Sequence, residues 1–251
     1  MMAKQPTNPH NSTPSSPRFL PVGDTALSVE FGNTIEPGIN DRVVAFDRAV
    51  KAAGLPGVLE TVPSYRALLV EYEPRLLSFS ALVAYLQAVD RDAGSVVPAP
   101  RRWVVPVAYG DEFGEDFTEV AQRRKLSPEA VIAAHVSGDY RVYMIGFAPG
   151  FAYLGRLPAT LELPRRETPR QRVPEGSVMI GGLQTAIAPM AIPTGWHVLG
   201  RTPLRCLDMK KPDPFLFRPG DRVRFRPIGL LEFEALSAHS AAGELVAVLE
   251  A

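Results

Sequence analysis

A single cysteine, Cys206, stands in a chain of 251 residues. Neither an intrachain disulfide nor a cysteine-based zinc site can form, and nothing points to an oxidising compartment. Charge imbalance is missing too. With 27 Lys+Arg against 27 Asp+Glu, the chain lacks the basic excess with which nucleic-acid binders neutralise phosphates. No run of about 18 apolar residues occurs, and the first residues lack the apolar core of a signal peptide. The expectation is a cytoplasmic protein that contacts neither nucleic acid nor membrane. Also absent are the G-x-x-x-x-G-K-[ST] phosphate loop and the G-x-G-x-x-G, H-E-x-x-H and G-x-S-x-G signatures. A standard nucleotide cradle or nucleophile elbow is thereby excluded.

What is present is a globular, turn-rich pattern. Residues 1–17 hold four prolines among Asn, Ser and Thr and read as a disordered tail. Phe19 to Phe31 alternates apolar and polar residues around a Gly23-Asp24 turn, which predicts strand. Pro37 to Ala53 changes period: Ile39, Val43, Phe46, Val50 and Ala53 predict a helix that Pro37 starts and Gly54 stops. Gly57–Val62 and Ala67–Tyr72 predict a hairpin. Leu82, Tyr85, Leu86 and Val89 share one face of a second helix, and Trp103–Val107 reads as a further strand. This order predicts an N-terminal ferredoxin-like βαββαβ domain over residues 18–108, in an α+β chain.

Residues 115–137 read as two short helices, the second capped by Ser127-Pro128-Glu129. From Tyr140, short apolar runs recur every 8–12 residues between Gly and Pro, predicting a β-rich second domain over 109–232. Residues 233–251 are expected to form a C-terminal tail with at most a weak helix.

Candidate chemistry concentrates between Gly146 and Pro203. Gly146-Phe147-Ala148-Pro149-Gly150-Phe151-Ala152-Tyr153-Leu154-Gly155 alternates turn glycines, Gly150 among them, with the rings of Phe147, Phe151 and Tyr153. Such a segment brings backbone N–H groups close to a ligand; it would equally serve as a turn whose aromatics plug a barrel end. Pro164 to Pro174 carries Arg165, Arg166, Arg170 and Arg172 against Glu167 alone. Guanidiniums on a proline-stiffened loop suit a carboxylate or phosphate, and pairing with nearby glutamates is the alternative. Gly181 and Gly182 lead into Gln184, a donor and acceptor, and Thr185, a hydroxyl. His197 is the candidate acid or base, with a structural hydrogen-bonding role as its competitor.

Taken together, these motifs resemble one family. They are the Asp139-Tyr140 to Gly155 segment, Pro164-Arg165-Arg166…Pro169-Arg170…Val173-Pro174, Ile180-Gly181-Gly182-x-Gln184-Thr185 and Gly195-Trp196…Gly200-Arg201-Thr202-Pro203. The family contains the B subunit of bacterial ATP-dependent 5-oxoprolinase, also called allophanate hydrolase subunit 1, and the sporulation-kinase inhibitor KipI. The same module resembles part of the carboxyltransferase domain of urea carboxylase. Ala186 and Ala188 stand where the family usually has Gly and Tyr, and Thr194 where it has Gly.

The resemblance implies a cyclophilin-like β-barrel as the second domain. It implies one component of a heteromeric hydrolase that opens 5-oxo-L-proline to L-glutamate with ATP hydrolysis, inactive without its partners. The 5-oxoprolinase C subunit would bind directly and the A subunit would complete the complex, with ATP and Mg²⁺ as its cofactors and none held covalently. Arg165, Arg166 and Arg170 would clamp substrate anions beside Gly150, Phe151, Tyr153, Gly181, Gly182 and Thr185. His197 and Gln184 would serve catalysis, and no resident metal is expected. Two other functions stay open: inhibition of a sensor histidine kinase, and carboxyl transfer from a biotin carrier to a small amide.

Overall fold

The computed structural model describes residues 16–92 and 99–250. The expected N-terminal tail therefore lies, apart from its last two residues, outside the described residues. The chain divides into two compact units between residues 98 and 99, and each is described by itself.

The first unit opens with a hairpin, β1 (Arg18–Val22) and β2 (Ala26–Glu30), and continues through α1 (Pro37–Ala53), β3 (Val58–Pro63), β4 (Ala67–Tyr72) and α2 (Phe79–Asp92). Its four strands lie in the order β1-β2-β4-β3, every neighbouring pair antiparallel. In α1, Ile39, Val43, Phe46 and Val50 are buried at three- and four-residue steps. They meet Leu27 and Val29 of β2, Leu68 and Val70 of β4, and Leu82 and Leu86 of α2 in one core. Gly54 ends α1 in the left-handed conformation (φ 58°), and its N–H bonds the Val50 carbonyl. A residue without Cβ adopts that backbone at least cost.

The ferredoxin-like expectation needs correction here. Its last strand, Trp103–Val107, belongs to the second unit, and the sheet edge reserved for it is held by β1. The reason is burial. Trp103, Val105, Val107 and Ala108 are all buried, a near-continuous apolar run suited to a strand enclosed on both faces. A sheet covered by helices on one face has no place for it.

That strand, β5 (Arg102–Tyr109), opens the second unit. After α3 (Phe117–Arg124) and α4 (Pro128–Val136) come β6 (Tyr140–Ile145), β7 (Ala152–Gly155), β8 (Arg170–Val173), β9 (Ser177–Gly181), β10 (Gln184–Ile187), β11 (Ile192–Thr194), β12 (His197–Arg201) and β13 (Arg222–Pro227). The order β12-β9-β10-β7-β6-β13-β5, with β5 pairing back onto β12, closes a seven-stranded barrel. The β-rich domain expected over 109–232 is thus a barrel whose first strand begins at Arg102. β8 and β11 form a separate two-stranded ladder. The segment expected as a C-terminal tail is structured instead: α5 (Leu230–Ala241) is followed by β14 (Val248–Glu250), which pairs with β5. Among the described residues no helix is long and apolar enough to cross a membrane.

One polar relay runs inside the barrel core. His135 of α4 is fully buried; its Nδ1 lies 2.7 Å from the Tyr109 hydroxyl and its Nε2 3.0 Å from Thr185 Oγ1. Thr185 donates its own proton to the Met179 carbonyl. It must therefore accept from His135 Nε2–H, and Nδ1 accepts from Tyr109. Thr185 is thus a core residue of the relay. Burial pushes the His135 pKa down from 6.5 to about 3. The unfolded chain takes up a proton near pH 6.5 that the folded chain refuses until about pH 3, so stability falls with pH across that window. Urea unfolding at pH 7 and pH 5 should show wild type losing about 2 kcal/mol more than His135→Gln, the share of one such histidine. Equal losses would show that His135 already titrates in the folded barrel.

Candidate functional site

The arginine loop is anchored from four sides. The Gly182 N–H donates to the Leu163 carbonyl (2.7 Å) and the Arg166 N–H to the Gly195 carbonyl (2.7 Å). His197 Nε2–H donates to the Pro164 carbonyl (3.0 Å). The fourth anchor is Asp116, at the N-cap of α3 and 1% exposed. Its carboxylate accepts from Arg166 Nη1, from Arg170 Nη2 (2.6 Å) and from the Val198 N–H of β12 (2.9 Å). Glu119 adds a bond to Arg166 (2.9 Å) and Glu115 one to Arg170 (2.9 Å). Burial alone would raise the Asp116 pKa. Hydrogen bonds from Arg170 and the Val198 amide, with the Arg170 and Arg166 charges, outweigh it and hold the carboxyl below its ordinary range.

The three arginines expected to clamp one anion are therefore divided. Arg166 and Arg170 are bonded to carboxylates. Arg165 alone has neither an ion pair nor a hydrogen bond among the described residues, and its guanidinium stacks over Trp196 at 5.9 Å from the ring centroid. Below it is a cavity of about 340 Å³ walled by Phe147, Phe151, Tyr153, Pro169, Pro193 and Trp196, with Arg165, Arg166, Thr194 and Gly195 at its polar margin. Phe151, Tyr153 and Trp196 pack edge to face in a triangle, centroids 4.9–6.2 Å apart. Gly181 makes room for the indole, because a Cβ there would come within 2.9 Å of it. Thr194 accepts the Trp196 backbone N–H on its hydroxyl (3.0 Å) and fixes the turn. Phe147 stands 67% exposed at the cavity with φ at +69°, a strained backbone for a residue with a side chain.

Of the residues anticipated from sequence, the fold gathers Phe151, Tyr153, Arg165 and Arg166 around this cavity. Gly150, Gly181, Gly182, Gln184 and Thr185 lie in the strands and turns that support it, and Arg170 serves the carboxylate cluster. His197 is fully buried and does not line the cavity; with Nε2 donating to Pro164, its Nδ1 is an acceptor without a partner. Asp116, Glu119 and His197 bring ligand atoms within 4.8 Å of one another, yet Arg166, Arg170 and Arg123 already occupy these carboxylates. A cation would have to displace guanidiniums that balance the same charges. The residue missed by sequence reasoning is Asp116. Its signal was the acidic run Asp111-Glu112…Glu115-Asp116…Glu119, the complement of the arginine loop.

A family model described as the carboxyltransferase domain, subdomain C and D, matches residues 17–217. The chain belongs to this family. Among its relatives, the 5-oxoprolinase B subunit of Bacillus subtilis is 36% identical over 230 residues, covering 87% of this chain and 96% of that protein. The crystal structure of TTHA0988 matches with a TM-score of 0.73 at 41% identity, over 81% of this chain. This chain spans only 40% of the length of TTHA0988. The Kluyveromyces lactis urea amidolyase structure matches 97% of this chain and 17% of its own length, at TM-score 0.77 and 18% identity, a likeness of fold.

Replacing Asp116 by Ala strands two guanidiniums and the Val198 amide in a partly buried setting. Chemical denaturation should show a loss of about 3–5 kcal/mol, the range for breaking a buried pair from one side. Glu119→Ala, at a half-exposed position, should cost less than about 1 kcal/mol. Similar losses for the two would remove Asp116 from its central place.

Proposed function

We propose that this chain is the B subunit of a heteromeric ATP-dependent 5-oxoprolinase, and that the aromatic cavity beneath Arg165 receives 5-oxo-L-proline. The observation that carries the reading is the pairing of one uncompensated guanidinium with apolar ring walls. A small ring with an apolar methylene face and one carboxylate matches both halves: Arg165 takes the carboxylate, and Phe151, Tyr153 and Trp196 take the methylene face. Relatives named as the B subunit of 5-oxoprolinase support the same assignment.

The chemistry explains why one chain is not enough. A lactam is a poor electrophile, and transfer of a phosphoryl group from ATP to its oxygen makes the carbonyl carbon open to water. Mg²⁺-ATP and the phosphoryl-transfer machinery then belong to the assembled complex, in which the C subunit touches this chain directly and the A subunit makes the enzyme whole. This chain supplies orientation and charge complementarity through Arg165. A cytoplasmic complex would have ATP at hand.

The purified chain alone should release no glutamate from 5-oxo-L-proline and ATP, and addition of the A and C subunits should restore turnover. In that complex Arg165→Ala should lower kcat/KM about 10- to 100-fold, the loss of a charge-assisted hydrogen bond of ~1.5–3 kcal/mol, with an unchanged melting midpoint. Robust turnover by the chain alone, or wild-type kinetics in the variant, would contradict the reading. Activity that instead requires bicarbonate and a biotinylated carrier would assign carboxyl transfer.

A further inference from the structure

We infer that Phe147 grips the ligand of the aromatic cavity: its ring closes on the apolar face of a bound cyclic carboxylate and gives that ligand its advantage over a carboxylate without a ring. The inference rests on the reading of the cavity as the site of 5-oxo-L-proline, and it adds the residue that selects for the ring.

Phe147 stands between β6 and β7 in the turn Gly146-Phe147-Ala148-Pro149-Gly150. Backbone bonds close this turn on both sides: the Gly146 N–H donates to the Phe151 carbonyl (3.1 Å) and the Phe151 N–H to the Ala148 carbonyl (3.0 Å). The turn holds Phe147 at φ +69°, in the left-handed region where a Cβ crowds the backbone and glycine fits best. Asp111, Lys125 and Arg156 share that region, and all three are charged and exposed. Among the described non-glycine residues with positive φ, Phe147 is the one apolar side chain.

Packing within the fold does little to offset that strain. The ring meets Phe151 edge to face, centroids 5.5 Å apart, yet Phe147 is 67% exposed where Phe151 is 4% and Trp196 6%. A position that would serve the fold better as glycine thus carries a large apolar side chain left mostly in water. Strain of this kind persists only where the surrounding structure enforces it, and it clusters at active sites and ligand clamps.

The cavity offers the contact that the fold does not. Phe147 lines it together with Phe151, Tyr153, Arg165 and Trp196, so its exposed ring borders the space a ligand fills. A ring bound there takes apolar surface of both partners out of water, and an aromatic contact adds to the gain. The two margins then do different work. Arg165 answers to a carboxylate on any ligand, whereas Phe147 answers only to a ligand with an apolar face beside that carboxylate.

The test uses the complex of this chain with the A and C subunits, 5-oxo-L-proline as substrate, and cyclopentanecarboxylate and acetate as competitors. Phe147→Gly should raise KM about tenfold, the scale of one aromatic contact, with kcat changed less than about threefold, since binding common to ground and transition states is lost. Inhibition by cyclopentanecarboxylate should weaken by a similar factor, and inhibition by acetate should stay as in wild type. Phe147→Tyr, which keeps the ring, should hold KM within about threefold of wild type. Phe147→Gly should melt no earlier than wild type, because glycine relieves the backbone; a residue that served the fold would show the opposite. Wild-type KM in Phe147→Gly, cyclopentanecarboxylate binding wild type no better than acetate, an equal loss for acetate, a Tyr variant as poor as the Gly variant, or a clearly lower melting midpoint would each overturn the inference. If Arg165→Ala still loses activity in the same complex, the cavity reading stands without Phe147; if Arg165→Ala matches wild type, that reading falls and the inference with it. A Phe147→Gly chain that needs more C subunit for assembly, yet keeps wild-type KM once saturated, would assign the ring to the subunit contact and overturn the inference.

Discussion

A carboxylate removed from water must find charge and hydrogen bonds inside the protein, and in this chain Asp116 finds both in the arginine loop. Its two oxygens bind two guanidiniums and one backbone amide, which joins the start of α3, the loop from Pro164 to Arg170 and the strand β12 at one point. The cost of burying each charge makes the arrangement cooperative: losing one member leaves the others unpaired in a poorly solvated place. The cluster also decides which arginine is available. By engaging Arg166 and Arg170 it leaves Arg165 as the cavity-lining guanidinium without a carboxylate partner among the described residues.

The cavity is as much a product of small residues as of large ones. Trp196 can lie against β9 because position 181 has no side chain, and Phe151 and Tyr153 then complete a triangle of rings around it. Ala186 and Ala188 are buried with Met179, Val198, Phe151 and Trp196 in the core cluster that holds these rings in place. Polar contacts at its margin are few and fixed, which favours selection by shape and by a single charge.

Much of this was legible along the chain. The 3.6-residue period, Pro37 and Gly54 define α1, and Ser127-Pro128 marks the start of α4, whose Ser127 oxygen accepts the Ala130 N–H (3.2 Å). The Gly- and Pro-spaced runs after Tyr140 foretold a β-rich unit, and the linked motifs from Gly146 to Pro203 pointed to the family and to the region of the cavity. Such signals are local, because helix caps, turn glycines and side-chain period act within a few residues.

What the fold alone decided depends on partners distant in sequence. The run Trp103–Val107 reads as a strand in any sheet, and only its pairing with β13 and β12 places it in the barrel. Arg165, Arg166 and Arg170 look alike in sequence, and their roles diverge because Asp116, some fifty residues earlier, is carried beside two of them. In the segment after Gly229, Val248–Glu250 becomes a strand because β5 offers a free side to pair with, and the helix before it is held by Phe233 against Phe113. The family, and the helices and strands with strong local signals such as α1 and α4, were set by the amino-acid order itself. The division of the arginines and the closure of the barrel were set by which elements came to lie together, since charge pairing and strand pairing act across space.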